Sequence, residues 1–141
     1  MAAFNKFDAF VEALAEKVHD LGTDTLKVYL TNDTPSGSGD AVKADLAEIA
    51  PGNGYTAGGN TATQTSSSQT AGLYKLVLAD PTSWTASGGN IGPFRYAVLY
   101  NSTTASGNLI GWWDYGTSIT LAAGDTFTVD FDPSTGVLTL Q

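Results

Sequence analysis

Thr25-Leu26-Lys27-Val28-Tyr29-Leu30-Thr31 alternates apolar with other side chains at every second position. Side chains on an extended chain point to opposite faces in turn, so Leu26, Val28 and Leu30 share one face, and the stretch reads as a strand buried on that face. The turn-forming run Asn32-Asp33-Thr34-Pro35-Ser36-Gly37 closes it. Downstream, the same kind of segment recurs at Ala62–Gln69, Leu73–Ala79, Phe94–Tyr100, Leu109–Trp113, Ser118–Leu121, Thr126–Phe131 and Val137–Leu140, each set off by Gly, Pro, Asn or Asp. Many short strands with no helices between them predict an all-β domain, and about eight strands fit a jelly-roll β-sandwich over residues 25–141.

Upstream the period differs. Phe4, Phe7, Val11, Leu14, Val18 and Leu21 recur at steps of three and four, which predicts an N-terminal amphipathic helix over residues 4–21. Gly22 stands where a helix terminator belongs, and His19 falls near the expected C-terminal end, where backbone dipoles would favour its proton. The stripe is too short for an autonomous coiled coil and suits docking on its own sheet or on a second copy. Val42, Leu46 and Ile49, followed by Pro51, suggest one further short helix.

The 141 residues form a single domain on this reading, long enough to bury ~68–70% of the surface of the unfolded chain. Six Lys+Arg against fourteen Asp+Glu give a formal charge of −8, which opposes binding to a phosphate backbone, so no nucleic-acid partner is expected. There is no cysteine, which excludes disulfides, thiolate metal sites and thiol nucleophiles. No apolar run approaches the ~20 residues of a membrane span, and the N-terminus lacks a signal-peptide pattern, so a soluble, non-secreted chain is expected. Thirteen of the twenty charges fall in residues 1–50, and residues 49–74 carry none. That Thr/Ser/Gly/Asn stretch lacks the charge of a typical disordered segment and reads as loop plus polar strand.

Little in the chain supports catalysis. The one histidine, His19, has no Ser, Cys or second His at a recognisable spacing, and reads as a solvated residue at a helix end. Gly52-Asn53-Gly54 and Gly58-Gly59 lack the Lys-Ser/Thr and the strand-to-helix context of a phosphate loop. Asp130-Phe131-Asp132-Pro133-Ser134-Thr135-Gly136 gathers oxygen ligands but departs from a helix–loop–helix calcium spacing, and reads first as a hairpin turn. Asp114 with Asp125 or Asp130 could form a carboxylate pair only if the fold brought them together. No cofactor or metal is implied, and the chain is not expected to be an enzyme.

The aromatics carry more information. Phe94, Tyr96 and Tyr100 share a parity with Val98, whereas Trp112 and Trp113 are adjacent and must point to opposite faces of any strand, one of them outward. Such rings serve as core, as interface anchors or as sugar-stacking platforms, and a strand region with few charges is cheap to desolvate. Phe4, Phe7, Val11, Leu14, Phe94, Tyr96, Trp112, Trp113 and Tyr115 are therefore the candidate interface residues. The competing reading is a carbohydrate-binding module, with Trp112 or Trp113 and Tyr115 as the platform and a calcium ion near Asp130 and Asp132; a small enzyme using an Asp pair is a third. Asn101-Ser102-Thr103 matches a glycosylation acceptor, which has no weight without a secretory segment.

Ala2-Ala3-Phe4-Asn5-Lys6-Phe7, Phe10-Val11-Glu12, Glu16-Lys17-Val18-His19, Thr25-Leu26-Lys27-Val28, Gly52 to Gly59, Ile91 to Asn101 and Leu109 to Gly116 resemble a family of small tailed-phage proteins that cement, or decorate, the capsid. The likeness runs from the first residues to the C-terminus, and Phe94-Arg95-Tyr96-Ala97 and Gly111-Trp112-Trp113-Asp114-Tyr115-Gly116 are its most specific parts. The resemblance implies a jelly-roll sandwich on the outer surface of an icosahedral virion, bridging neighbouring major capsid proteins, with the chain pairing as a homodimer. It implies a life in the host cytoplasm until assembly. No catalytic or contact residue transfers with it.

Overall fold

A computed structural model describes residues 2–141. Ten strands and one helix appear in the order β1 (Asn5–Lys6), α1 (Asp8–Ala15), β2 (Leu26–Thr31), β3 (Asn60–Thr61), β4 (Gln64–Thr70), β5 (Leu73–Leu78), β6 (Trp84–Thr85), β7 (Ile91–Asn101), β8 (Leu109–Leu121), β9 (Thr126–Phe127) and β10 (Leu138–Leu140). The all-β expectation holds, with every strand pair antiparallel. The strands divide into a five-stranded sheet β1-β8-β7-β2-β3, a three-stranded sheet β10-β5-β4 and a β6-β9 pair, not into the two four-stranded sheets of an eight-stranded jelly roll.

The two larger sheets enclose the main core. Val28, Leu30, Ala97, Leu99 and Ile110 from the five-stranded sheet meet Leu76, Leu78 and Leu138 from the smaller one, with Trp84 and Phe94 between them. Each such side chain contributes roughly 1.5–3 kcal/mol by leaving water. β2 keeps its alternation but not its single buried face: Tyr29, on the opposite parity, is also fully buried, in a second cluster with Phe7, Leu46, Val98, Tyr100 and Leu109. The segment that covers this back face includes residues 42–49. Instead of the expected helix it makes a single 3-10 turn at Lys43–Asp45, flanked by bridges from Val42 to Asn108 and from Glu48 to Thr31.

The helix over 4–21 is corrected most. Only Asp8–Ala15 is helical, and Asn5–Lys6 pairs with Trp112 and Gly111 at the edge of β8. A step of three puts Phe4 and Phe7 on one face of a helix but on opposite faces of an extended chain. They use the second geometry to straddle β8: Phe4 packs on Trp113 with centroids 5.2 Å apart, and Phe7 on Trp112 at 4.4 Å. Gly111 permits this, because a Cβ there would stand 2.3 Å from the Phe4 ring. The helix buries Phe10, while Val11 is 52% exposed. It ends not at Gly22 but at Lys17, which takes φ 64 while Val18 N–H donates to Ala13 O (2.8 Å) and Lys17 N–H to Leu14 O (3.3 Å).

The uncharged stretch does form a polar strand, β4, joined to β5 by a two-residue turn. Ala71 (φ 52) and Gly72 (φ 84) are both left-handed there, which matches the twist of a hairpin.

Candidate interaction surface

β7 and β8 are in register from Leu99↔Gly111 to Tyr96↔Asp114, after a one-residue shift at Ile110 that separates this run from Tyr100↔Leu109, and the ladder then breaks: between Tyr96↔Asp114 and Phe94↔Ile119, Arg95 alone faces the four residues Tyr115 to Ser118. This excursion moves Phe94 to the main core with Ala97 and Leu99, while Tyr96 stays with Val98 and Tyr100 on the other face, contrary to the shared parity expected. It also throws Tyr115 outward, where the residue is 55% exposed.

Asp114 fixes the start of the excursion. Arg95 donates to it twice, Nε to Oδ1 at 2.7 Å and Nη2 to Oδ2 at 2.8 Å, and Gly116 N–H donates to Oδ1 at 2.7 Å. The guanidinium and the Gly116 N–H hold the carboxyl below its ordinary 3.8. Both members of the pair are charged near neutrality and committed to each other.

Beside this pair lies an open groove of about 370 Å³ lined by Trp113, Tyr115, Phe127, Val129 and Phe131, with Arg95 and Asp130 among its polar members. The rings support one another: Trp113 and Phe131 lie 5.3 Å apart, and Tyr115 meets Phe127 edge-on at 5.8 Å. Phe127 in turn rests edge-on against buried Phe94 at 4.9 Å. Such a surface offers rigid aromatic area with one neutralised ion pair beside it, which suits contact with a macromolecule or a flat apolar ligand face.

Of the nine expected interface residues, Trp113 and Tyr115 come together in this groove, with Phe4 packed behind Trp113. Phe7, Phe94 and Tyr96 are buried within the chain and offer no surface, which corrects that part of the expectation. Trp112 is half-buried on Phe7, on the opposite face from Trp113, so neither indole points fully outward. Val11 is exposed on α1, and Leu14 lines a separate depression with His19 and Tyr74. Phe127, Val129, Phe131 and Arg95 line the groove without being among the nine candidates that residue type suggests. The first three share a parity, and that alternation was the available signal even though the regular strand stops at Phe127.

Two polar clusters lie elsewhere. His19 is buried, not solvated, and sits outside the helix against Phe10. Its Nδ1 accepts from Asn101 Nδ2 (3.1 Å), which places the ring proton on Nε2, and the other Asn101 amide hydrogen goes to Asp24 Oδ2 (2.5 Å). Burial lowers the His19 pKa below 6.5 against the opposing pull of Asp24, the reverse of the helix-end expectation. Asn101 is itself fully buried, so its glycosylation pattern presents no acceptor. On the back face, Glu48 accepts from Tyr55 Oη (2.6 Å), Gly58 N–H (2.6 Å) and Lys43 Nζ (2.6 Å), and the Lys43 ammonium lies over the Tyr29 ring at 4.8 Å.

The Asp130–Gly136 run is a turn. Asp132 Oδ1 accepts from Ser134 N–H (2.8 Å) and Ser134 Oγ (2.6 Å), and Gly136 N–H closes on Asp132 O (2.9 Å). Among the described residues, no three His, Cys, Asp or Glu side chains converge as a metal site would require, and no helix is long and apolar enough to cross a membrane. Comparison of the chain with protein-family models, with curated proteins and with solved structures finds no match in any of the three.

Proposed function

We propose that the chain is a capsid decoration protein of a tailed phage, a cement that binds the outer surface of the icosahedral head and bridges neighbouring major capsid proteins. The observation that carries the proposal is the open aromatic groove of Trp113, Tyr115, Phe127 and Phe131, built on a rigid antiparallel sandwich and bordered by an ion pair that is already satisfied. The residue segments that resemble tailed-phage cement proteins support it from the sequence side, because Arg95, Trp113 and Tyr115 belong to both.

The mechanism is differential binding. Packaged DNA pushes capsomers apart, and a protein that contacts two of them binds the assembled shell but not the separated subunits, so it stabilises assembly by mass action. Two linked copies gripping separate subunits gain avidity without a strong individual contact. The net charge of −8 keeps decorated particles mutually repelling.

The test is to mix purified protein with undecorated heads of such a phage and sediment the particles: the chain travels with the heads if the proposal holds and stays in the supernatant if it does not. A second reading, saccharide binding, is favoured by one observation, the exposure of Tyr115 beside Trp113 and the Arg95 guanidinium. Saturable glycan binding abolished by Tyr115→Ala, together with bare heads, would replace the first reading by this one.

A further inference from the structure

We propose that the outer edge of β4, Gln64–Thr70, is the surface on which two copies of this chain pair, antiparallel about a two-fold axis. The proposal rests on the decoration reading for its biological role, while the edge itself is argued from strand geometry and charge.

β4 stands at the edge of its sheet, bonded to β5 on one side. Edge strands usually carry protection against strand addition: shortness, charge, proline or distortion. The other edges have it. β1 and β3 are two residues long, β10 is three, and β8 beyond Trp112 is deflected by the excursion at Tyr115–Ser118. β4 has seven residues, Gln-Thr-Ser-Ser-Ser-Gln-Thr, without charge or proline, and its one irregularity lies between Gln64 and Ser66. It lies wholly within the uncharged residues 49–74.

The direction of its backbone groups follows from the hairpin. A two-residue turn makes Thr70 and Leu73 a hydrogen-bonded pair, and bonding then alternates along the ladder, so the N–H and C=O of Ser67 and Gln69 point away from β5. A two-fold axis at Ser68 sets Ser67 opposite Gln69 of the second copy, and the reverse, giving four backbone hydrogen bonds. The side chains brought together are hydroxyls and amides, each both donor and acceptor. The two three-stranded sheets become one of six.

Charge selects a second copy and this edge for it. Each copy carries −8, so a self-contact must avoid carboxylates. The exposed Val11 on α1 is flanked by Asp8, Glu12 and Glu16, which a two-fold axis there would set against their own counterparts, and the aromatic groove includes Asp130. Among the described residues, β4 alone is a long, regular edge strand with no charge of its own, Asp20 and Asp24 lying across the depression that Ser67 lines and not on the strand, and a two-fold pairing leaves no edge open for further growth.

Sedimentation equilibrium of the full chain tests this. The expected mass is twice 14.6 kDa, and dimerisation strengthens with added salt, which screens the repulsion between acidic copies. Ser68→Glu sets like charges against each other across the axis and weakens dimerisation at least about tenfold; Ser67→Pro removes a bridging N–H and does the same. Because Ser68 is exposed, Ser68→Glu keeps the native circular dichroism, so its effect stands even if Ser67→Pro misfolds. A monomer at every concentration, a dimer indifferent to Ser68→Glu, or a dimer dissolved by Tyr115→Ala instead overturns the pairing. A monomer that still coats heads overturns the pairing alone; a dimer that leaves heads bare overturns decoration alone.

Discussion

Arg95 and Asp114 are joined by two short hydrogen bonds, 2.7 and 2.8 Å, at the point where the β7–β8 ladder breaks and Tyr115 leaves the sheet. The pair positions the groove more than it stabilises the fold, since exposed ion pairs contribute little to stability. Asp114→Asn is therefore expected to leave the thermal midpoint at pH 7 nearly unchanged while loosening residues 115–118, read as faster amide exchange at Gly116. The folded carboxyl titrates below 3.8, so its contribution is present above that value and disappears as pH falls through the lower folded value. Wild type and variant should then unfold alike in strong acid.

His19 also costs stability on acidification, but through burial of its neutral ring. Its folded pKa lies below 6.5, so as pH drops beneath 6.5 the unfolded chain takes up a proton that the folded chain refuses. Stability is level above that value and declines with acidification until the folded pKa is reached. Urea denaturation across this range should show the decline in wild type and a flatter profile in His19→Gln. A His19→Gln profile as steep as that of wild type would remove His19 as the cause.

The helix supplies a direct contrast. Phe10→Ala is expected to lose about 3–5 kcal/mol in urea denaturation, because the ring is fully buried and leaves a cavity. Val11→Ala, one position on and 52% exposed, should stay within about 0.5 kcal/mol. Equal losses would restore the stripe of Phe7, Val11 and Leu14 that the sequence spacing suggests.

Glu48 ties together three parts of the back face, Lys43, Tyr55 and Gly58. Glu48→Ala leaves a tyrosine hydroxyl, a backbone N–H and an ammonium without their acceptor, and should destabilise by about 1–3 kcal/mol in the same assay. Tyr55→Phe removes one donor to Glu48 and also strips the buried Leu30 N–H of its acceptor (3.1 Å), and should likewise lose about 1–3 kcal/mol.

Much of the fold is legible in short-range pattern. Period two identifies β2, β5 and the outer part of β7, and the adjacency of Trp112 and Trp113 alone places them on opposite faces. The N-terminus misleads for a definite reason: steps of three and four suit a helical stripe, yet in an extended segment the same step of three sends Phe4 and Phe7 to two cores. That choice depends on β8, more than a hundred residues away. The second buried face of β2 is likewise invisible locally, since it exists only because residues 42–49 fold back over Tyr29. For the groove, Trp113 and Tyr115 could be nominated from residue type, whereas Arg95 joins them only because one residue faces four across a broken ladder. No periodicity encodes that.

Tyr115 carries the functional account, because its ring is the most exposed large apolar side chain of the groove. Tyr115→Ala should leave stability within about 0.5 kcal/mol yet weaken attachment to heads by about thirtyfold, the loss of an interface hot spot of about 2 kcal/mol.

The most direct measurement is the temperature at which undecorated heads release their DNA, with and without saturating protein. The account predicts a higher disruption temperature in the presence of the chain and none of that gain with Tyr115→Ala. An unchanged temperature with the native chain would contradict it.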